Sequence, residues 1–106
     1  MDCPIAQSLE LVGEWWTPLI LRDIVMLDLT RFDDIQQNLG IAPTVLTSRL
    51  KQLVEAGILE RCQYCDRPPR FEYLPTEAAR EFEPVLKALF TWGAKWAGTP
   101  AARRRA

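Results

Sequence analysis

The residues able to do chemistry in this 106-residue chain are few and of a narrow kind. It contains no histidine, no phosphate-binding glycine loop and no nucleophile beside a base, so an enzyme is not expected. What stands out is a run of hydroxyls and cations: Pro43, Thr44, Thr47, Ser48, Arg49 and Lys51, then Arg67 and Arg70 on either side of Pro68-Pro69. Hydroxyl and ammonium groups grouped near a helix N-terminus suit the reading of base edges, and the free N–H groups of that terminus suit a phosphate. Guanidinium groups on a proline-stiffened tip suit the minor groove or the adjacent backbone. The chemistry on offer is recognition of nucleic acid.

The three cysteines offer a second chemistry. Cys3 precedes Pro4 at a helix start, where the partial positive charge of the helix end favours a reactive thiolate. A redox sensor is the sharper reading of Cys3, and a structural thiol the plainer one. Cys62 and Cys65 spell C-x-x-C, but in a regular strand they face opposite sides about 10 Å apart. That exceeds the ~7 Å Cα separation that a disulfide tolerates. Zinc needs four ligands, which three cysteines without histidine do not supply, so no metal and no cofactor are expected.

The elements that must position these residues follow from spacing and punctuation. Pro4 opens a first helix to about Val12, with Gly13 as its stop. Thr17-Pro18 repeats the start signal, and Leu19, Ile20, Leu21, Ile24, Val25 and Leu27 predict a buried central helix. Thr30 is the expected cap of a third helix ending near Gly40, with Phe32, Ile35 and Leu39 on one stripe. A fourth helix runs from Pro43 to just before Gly57 and buries Leu46, Leu50, Leu53 and Val54. On its wheel Thr44, Ser48, Lys51 and Glu55 point outward and Thr47 and Gln52 lie on the flanks. Arg49 lies nearer the buried edge, where a phosphate or an intramolecular partner suits it better than a base. Strands over residues 59–65 and 70–74 meet at Asp66-Arg67-Pro68-Pro69. Thr76 is expected to cap a long last helix that reaches about Trp96 and bends near Pro84.

This pattern predicts a mainly α fold with a small β-hairpin: a winged helix-turn-helix of about five helices. Its recognition helix, about 43–56, would enter the major groove, and its wing, 59–74, would meet the minor groove or backbone. One domain is expected over residues 1–98, followed by a basic tail, 99–106, read as disordered and solvated. Apolar residues at 48% and charged residues at 25% are the balance of a soluble globular protein. No apolar run approaches the ~20 residues of a membrane span. Met-Asp-Cys-Pro lacks the features of a signal peptide, so a cytoplasmic chain with reduced thiols is expected. The net charge of −1 is low for a DNA-binding domain. Binding requires only a local cationic footprint, which Arg49, Lys51, Arg61, Arg67 and Arg70 could supply.

A resemblance makes the reading specific. Cys3-Pro4-Ile5, Gly13-x-x-Trp16-Thr17, Ile20-Leu21-Arg22-Asp23, Arg31-Phe32, Leu46-Thr47-x-Arg49-Leu50, Gly57, Pro68-Pro69-Arg70-x-Glu72-Tyr73 and Leu89-x-x-Trp92-Gly93 together resemble the HxlR-type winged helix-turn-helix regulators. The match spans Cys3 to Trp96. It implies a homodimeric bacterial transcriptional regulator that binds a two-fold symmetric, pseudo-palindromic operator in double-stranded DNA. It also implies that the first and last helices form much of the dimer interface, and that a cysteine near Cys3 senses oxidants or electrophiles in some relatives. Three positions depart from the family pattern: Trp15 where a basic residue is usual, Thr44 where lysine is frequent, and Ala79 where glycine is usual.

Phe82, Val85, Leu86, Leu89, Trp92 and Trp96 form an apolar stripe on the last helix that half a dimer could not cover, and aromatic anchors are typical of interface cores. With Ile5 and Leu9 of the first helix, Phe82, Leu86, Leu89, Trp92 and Trp96 are the expected dimer contacts. A small-molecule or oxidant effector would lodge near Trp15, Trp16 and Trp92, although packing is the commoner use of such tryptophans. The rival reading is a winged helix used for protein–protein interaction without specific DNA binding.

Overall fold

The structure, a computed structural model, describes residues 2–98; the basic tail lies outside the described residues. Helix α1, Pro4–Val12, is followed by α2, Trp16–Val25, then α3, Phe32–Leu39, and α4, Pro43–Glu55. An antiparallel hairpin of β1, Leu59–Asp66, and β2, Pro69–Pro75, comes next. Helices α5, Glu77–Glu81, and α6, Glu83–Trp92, follow, and a π-helical turn over Gly93–Ala97 extends α6. The last helix is therefore broken at Phe82 rather than bent, because Pro84 has no N–H to carry the ladder across.

The core forms where α2, α3 and α4 meet. Ile20, Leu21 and Ile24 of α2 pack with Ile35 of α3, Ile41 at the corner, and Leu46, Leu50 and Leu53 of α4. Ile58, Leu59, Ala79 and Leu86 close it from the hairpin and the C-terminal helices. Each fully buried Leu or Ile contributes about 1.5–3 kcal/mol, so this cluster rather than helix propensity holds the corner. Gly40 ends α3 at φ +66° and Gly57 ends the α4 segment at φ +76°, conformations that a side chain resists.

Several local expectations are corrected. Helix α2 starts at Trp16 and stops at Val25, so Leu27 is exposed and lies beyond the helix. Thr30 does not cap α3, since the capping position is Arg31. The Thr30 Oγ1 hydroxyl instead donates to Glu72 Oε2 at 2.9 Å, and the Tyr73 N–H donates to Thr30 O at 2.8 Å. A bridge between Arg31 and Glu72 thus lays the start of α3 along the outer edge of β2. Thr76 occupies the N-cap position of α5, but its hydroxyl lies 2.8 Å from both Gly57 O and Ile58 O, tying the end of β2 to the α4–β1 turn.

Spacing alone did not reveal Asp23. It is fully buried in α2, and its Oδ1 accepts from Arg22 Nε at 3.2 Å and Nη2 at 3.0 Å while Oδ2 accepts from Asn38 Nδ2 at 3.0 Å. The carboxylate therefore ties α2 to the C-terminal turn of α3.

Candidate nucleic-acid interface

Pro43 at the first position of α4 fixes where the helix begins, and the Leu46/Leu50/Leu53 stripe fixes its roll. The opposite face carries Pro43, Thr44, Thr47, Ser48, Lys51, Gln52 and Glu55, all exposed as the wheel predicts. Two of these groups are partly engaged. The Thr47 hydroxyl donates to Pro43 O at 2.9 Å, leaving its oxygen as an acceptor, and Lys51 Nζ lies 4.0 Å from Glu55.

Arg49 points elsewhere. Its Nε lies 3.0 Å from Glu14 Oε2, and its Nη1 donates to Gln52 Oε1 at 3.3 Å. The Nε–H is not aligned as a hydrogen bond to that oxygen, so the contact is an ion pair held by charge. Of the two partners expected for this side chain, the structure gives it the intramolecular one.

At the wing, Arg67 and Arg70 are exposed on either side of the turn, which contains a cis Arg67–Pro68 bond. Two further arginines stand nearby: Arg61, named above only as part of the cationic footprint, and Arg31, named only in the family pattern. Arg61 stacks on the Phe71 ring at 3.7 Å from its centroid, and Arg31 stacks on Tyr64 at 4.3 Å. These stacks stiffen the hairpin and its junction with α3 while leaving cationic edges at the surface. Arg31, Asp33, Asp34, Tyr64 and Arg70 line the cleft between α3 and the wing. Only the placement of Arg31 against β2 brings these residues together, and no short-range pattern marks it.

The C-x-x-C reading is also corrected. The pairing runs Cys62↔Glu72, Gln63↔Phe71, then Cys65↔Arg70, so Tyr64 is extruded as a bulge. Glu72 and Arg70 share one face of β2, which places Cys62 and Cys65 on one face as well, not on opposite faces. Both are free thiols, as is Cys3, which is exposed at the N-cap of α1. Burial, and next the carboxylates of Glu60 and Glu72, push the Cys62 thiol up. Among the described residues no cluster of three or more His, Cys, Asp or Glu side chains could hold a metal ion.

The expected dimer residues divide. Ile5 (72% exposed), Leu9, Leu89, Trp92 and Trp96 are exposed, with Leu11, Val85 and Phe90 (75%) beside them in sequence. Leu86 instead belongs to the monomer core, and Phe82 is half-buried against it, so neither is free for a partner in the way the stripe implied. Two apolar clefts lie between helices: one lined by Leu11, Val12, Leu21, Ile58 and Phe82, the other by Pro18, Leu19, Met26, Leu86, Leu89 and Phe90. Neither is lined by Trp15, Trp16 or Trp92, where an effector was expected.

Two helices meeting at a Gly40-marked corner, the second exposing a polar face beside an arginine-bearing hairpin, define a winged helix-turn-helix. Residues 11–100 match the HxlR-like helix-turn-helix family, and the chain belongs to it. The HTH-type transcriptional regulator Rv3095 of Mycobacterium tuberculosis is 42% identical over 96 residues, covering 91% of this chain and 60% of Rv3095. This chain thus spans less than two thirds of that regulator's length. PA1374 of Pseudomonas aeruginosa is 54% identical, with a TM-score of 0.66 over 86% of this chain and 62% of its own. The reduced form of the redox regulator HypR is 29% identical, with a TM-score of 0.78 over 88% of this chain and 92% of its own. Rv3095 and HypR are named as regulators and PA1374 as a transcription factor, none of them as an enzyme. No helix among the described residues is long and apolar enough to cross a membrane.

Proposed function

We propose that the protein is a bacterial transcriptional regulator that binds a pseudo-palindromic operator in double-stranded DNA as a homodimer, in the cytoplasm. The observation that carries this reading is the exposed face of α4, with Pro43, Thr44, Thr47, Ser48 and Lys51 free of the core, set beside a wing that offers Arg67 and Arg70. Helix α4 would lie in the major groove, and the wing would take the minor groove or backbone. Arg49 serves this surface indirectly, through its contact with Glu14.

The dimer reading rests on the apolar side chains of α1 and α6, since a monomer in water does not favour so much exposed aromatic and aliphatic surface. Two-fold symmetry would set two recognition helices about one duplex turn (~34 Å) apart. A response to oxidants or electrophiles through Cys3 is supported by its exposure at the start of α1 and by the likeness to a regulator named for redox.

Gel-shift or anisotropy titration on the gene's own upstream DNA, repeated across salt concentrations, tests the reading. Specific binding that exceeds random duplex is the expected result. Equal affinity for both would favour the protein-interaction alternative. For Cys3, operator affinity before and after peroxide or quinone treatment should differ in wild type and not in Cys3→Ser.

A further inference from the structure

Glu14 sits in the short connector between α1 and α2. One oxygen of its carboxylate, Oε2, accepts from Trp16 N at 2.9 Å, Thr17 N at 3.2 Å and Thr17 Oγ1 at 3.2 Å. It therefore does for α2 what a cap does, satisfying N–H groups of the first turn that have no intrahelical partner. The same oxygen lies 3.0 Å from Arg49 Nε, on the side of α4 between the core stripe and the exposed face. Arg49 is held a second time by Gln52 on its own helix. A single carboxylate oxygen of the α1–α2 connector thus touches the first turn of α2 and the middle of α4. The Arg49 side chain is about three-quarters covered, so water screens this pair less than a surface pair.

We propose that Glu14 and Arg49 form a positioning tie that sharpens the roll of the recognition helix against the α1–α2 connector and the first turn of α2, and that Arg49 does not contact phosphate. This rests on the DNA-binding reading above. The physical need is geometric. Two recognition helices enter successive major grooves only if each is held within a narrow angle of the dimer frame, and a contact loosened by an ångström forfeits base-edge hydrogen bonds. The buried leucine stripe sets the roll of α4 from the core side, and the charged pair adds a restraint at the edge that the stripe does not cover.

The two roles of Arg49 predict opposite signs. If Arg49 were a phosphate contact restrained by Glu14, Glu14→Gln would free it and strengthen binding, and Arg49→Gln would flatten the salt dependence by about one contact per protomer. As a tie, Glu14→Gln and Arg49→Gln each weaken binding roughly three- to thirtyfold and leave the slope of log affinity against log salt unchanged. The double variant is then no worse than either single one, because both remove the same interaction.

The experiment titrates the four proteins against a duplex selected from a random pool by the wild type. A parallel arm measures hydrogen exchange of α4 amides without DNA. Faster exchange across residues 46–54 in both single variants, with the global melting curve retained, is the expected companion result. Stronger binding by Glu14→Gln, a flatter salt slope in Arg49→Gln, additive losses in the double variant, or unchanged α4 exchange would each overturn the tie. If the wild type selected no DNA, the DNA-binding reading would fall, while the exchange arm would still decide whether Glu14 restrains α4.

Discussion

Replacing Arg70 by Gln tests which cations meet the duplex. The structure leaves Lys51, Arg67 and Arg70 exposed on the reading helix and wing and withdraws Arg49 into its pair with Glu14. Three cations per protomer give about six phosphate contacts in a symmetric dimer, so log affinity should fall with log salt at a slope of about −5.4. Raising salt from about 50 to about 200 mM then lowers affinity roughly 2,000-fold. Arg70→Gln removes two contacts at once through the dimer symmetry, so the slope should rise to about −3.6 and the loss over the same range shrink to roughly 150-fold. Fluorescence anisotropy with a labelled operator at five or six salt concentrations measures both slopes. A wild-type slope shallower than about −2, or one that Arg70→Gln leaves unchanged, would refute the assignment of the wing arginine to phosphate.

Other expectations are equally direct. Asp23→Ala removes a fully buried acceptor of three hydrogen bonds, two of them from Arg22. Its donors can turn to water, so the cost should be about 2–4 kcal/mol, read as a lower urea midpoint, and a loss below about 0.5 kcal/mol would contradict the role given to Asp23. Leu89→Glu alters an exposed residue of α6 and should leave the monomer fold intact while weakening self-association more than about a hundredfold in sedimentation; an unchanged dimer would place the interface elsewhere. The raised Cys62 thiol keeps its proton to a higher pH than an ordinary thiol, so less thiolate is available near neutrality. Its alkylation rate, followed by peptide mass spectrometry, should climb at a higher pH than that of free cysteine in the same tube and climb earlier in Glu72→Gln. A midpoint at or below that of free cysteine would contradict the environment described for Cys62.

Local rules were sufficient for much of this fold. Proline at the starts of α1 and α4, Gly40 and Gly57 as stops, and the Leu46/Leu50/Leu53 stripe set the helices and the outward face of α4, because each signal acts within a few residues. The hairpin and its exposed arginine tip were legible for the same reason. Misreadings arose wherever a side chain chose a distant partner. Thr30 gave up a local cap for Glu72, 42 positions away, and Thr76 turned to the carbonyls of Gly57 and Ile58. The bulge at Tyr64 reversed the facing of Cys65, since one extra residue shifts a period-two pattern.

The sequence by itself determined the kind of surface this protein presents: a polar, modestly cationic helix and an arginine wing, on a chain without histidine. Residue type and helical spacing suffice for that. Only the tertiary structure decided how each cation is partnered, because a guanidinium takes the carboxylate or ring face that the fold brings beside it, whatever its position in its own element. Glu14 claims Arg49, Tyr64 and Phe71 hold Arg31 and Arg61, and Asp23 is secured by Arg22 and Asn38. It also decided which part of the apolar stripe is free: Leu86 enters the core while Leu89 and Trp92 remain outside, because only the packing of neighbouring elements decides which apolar side chains of one helix are covered.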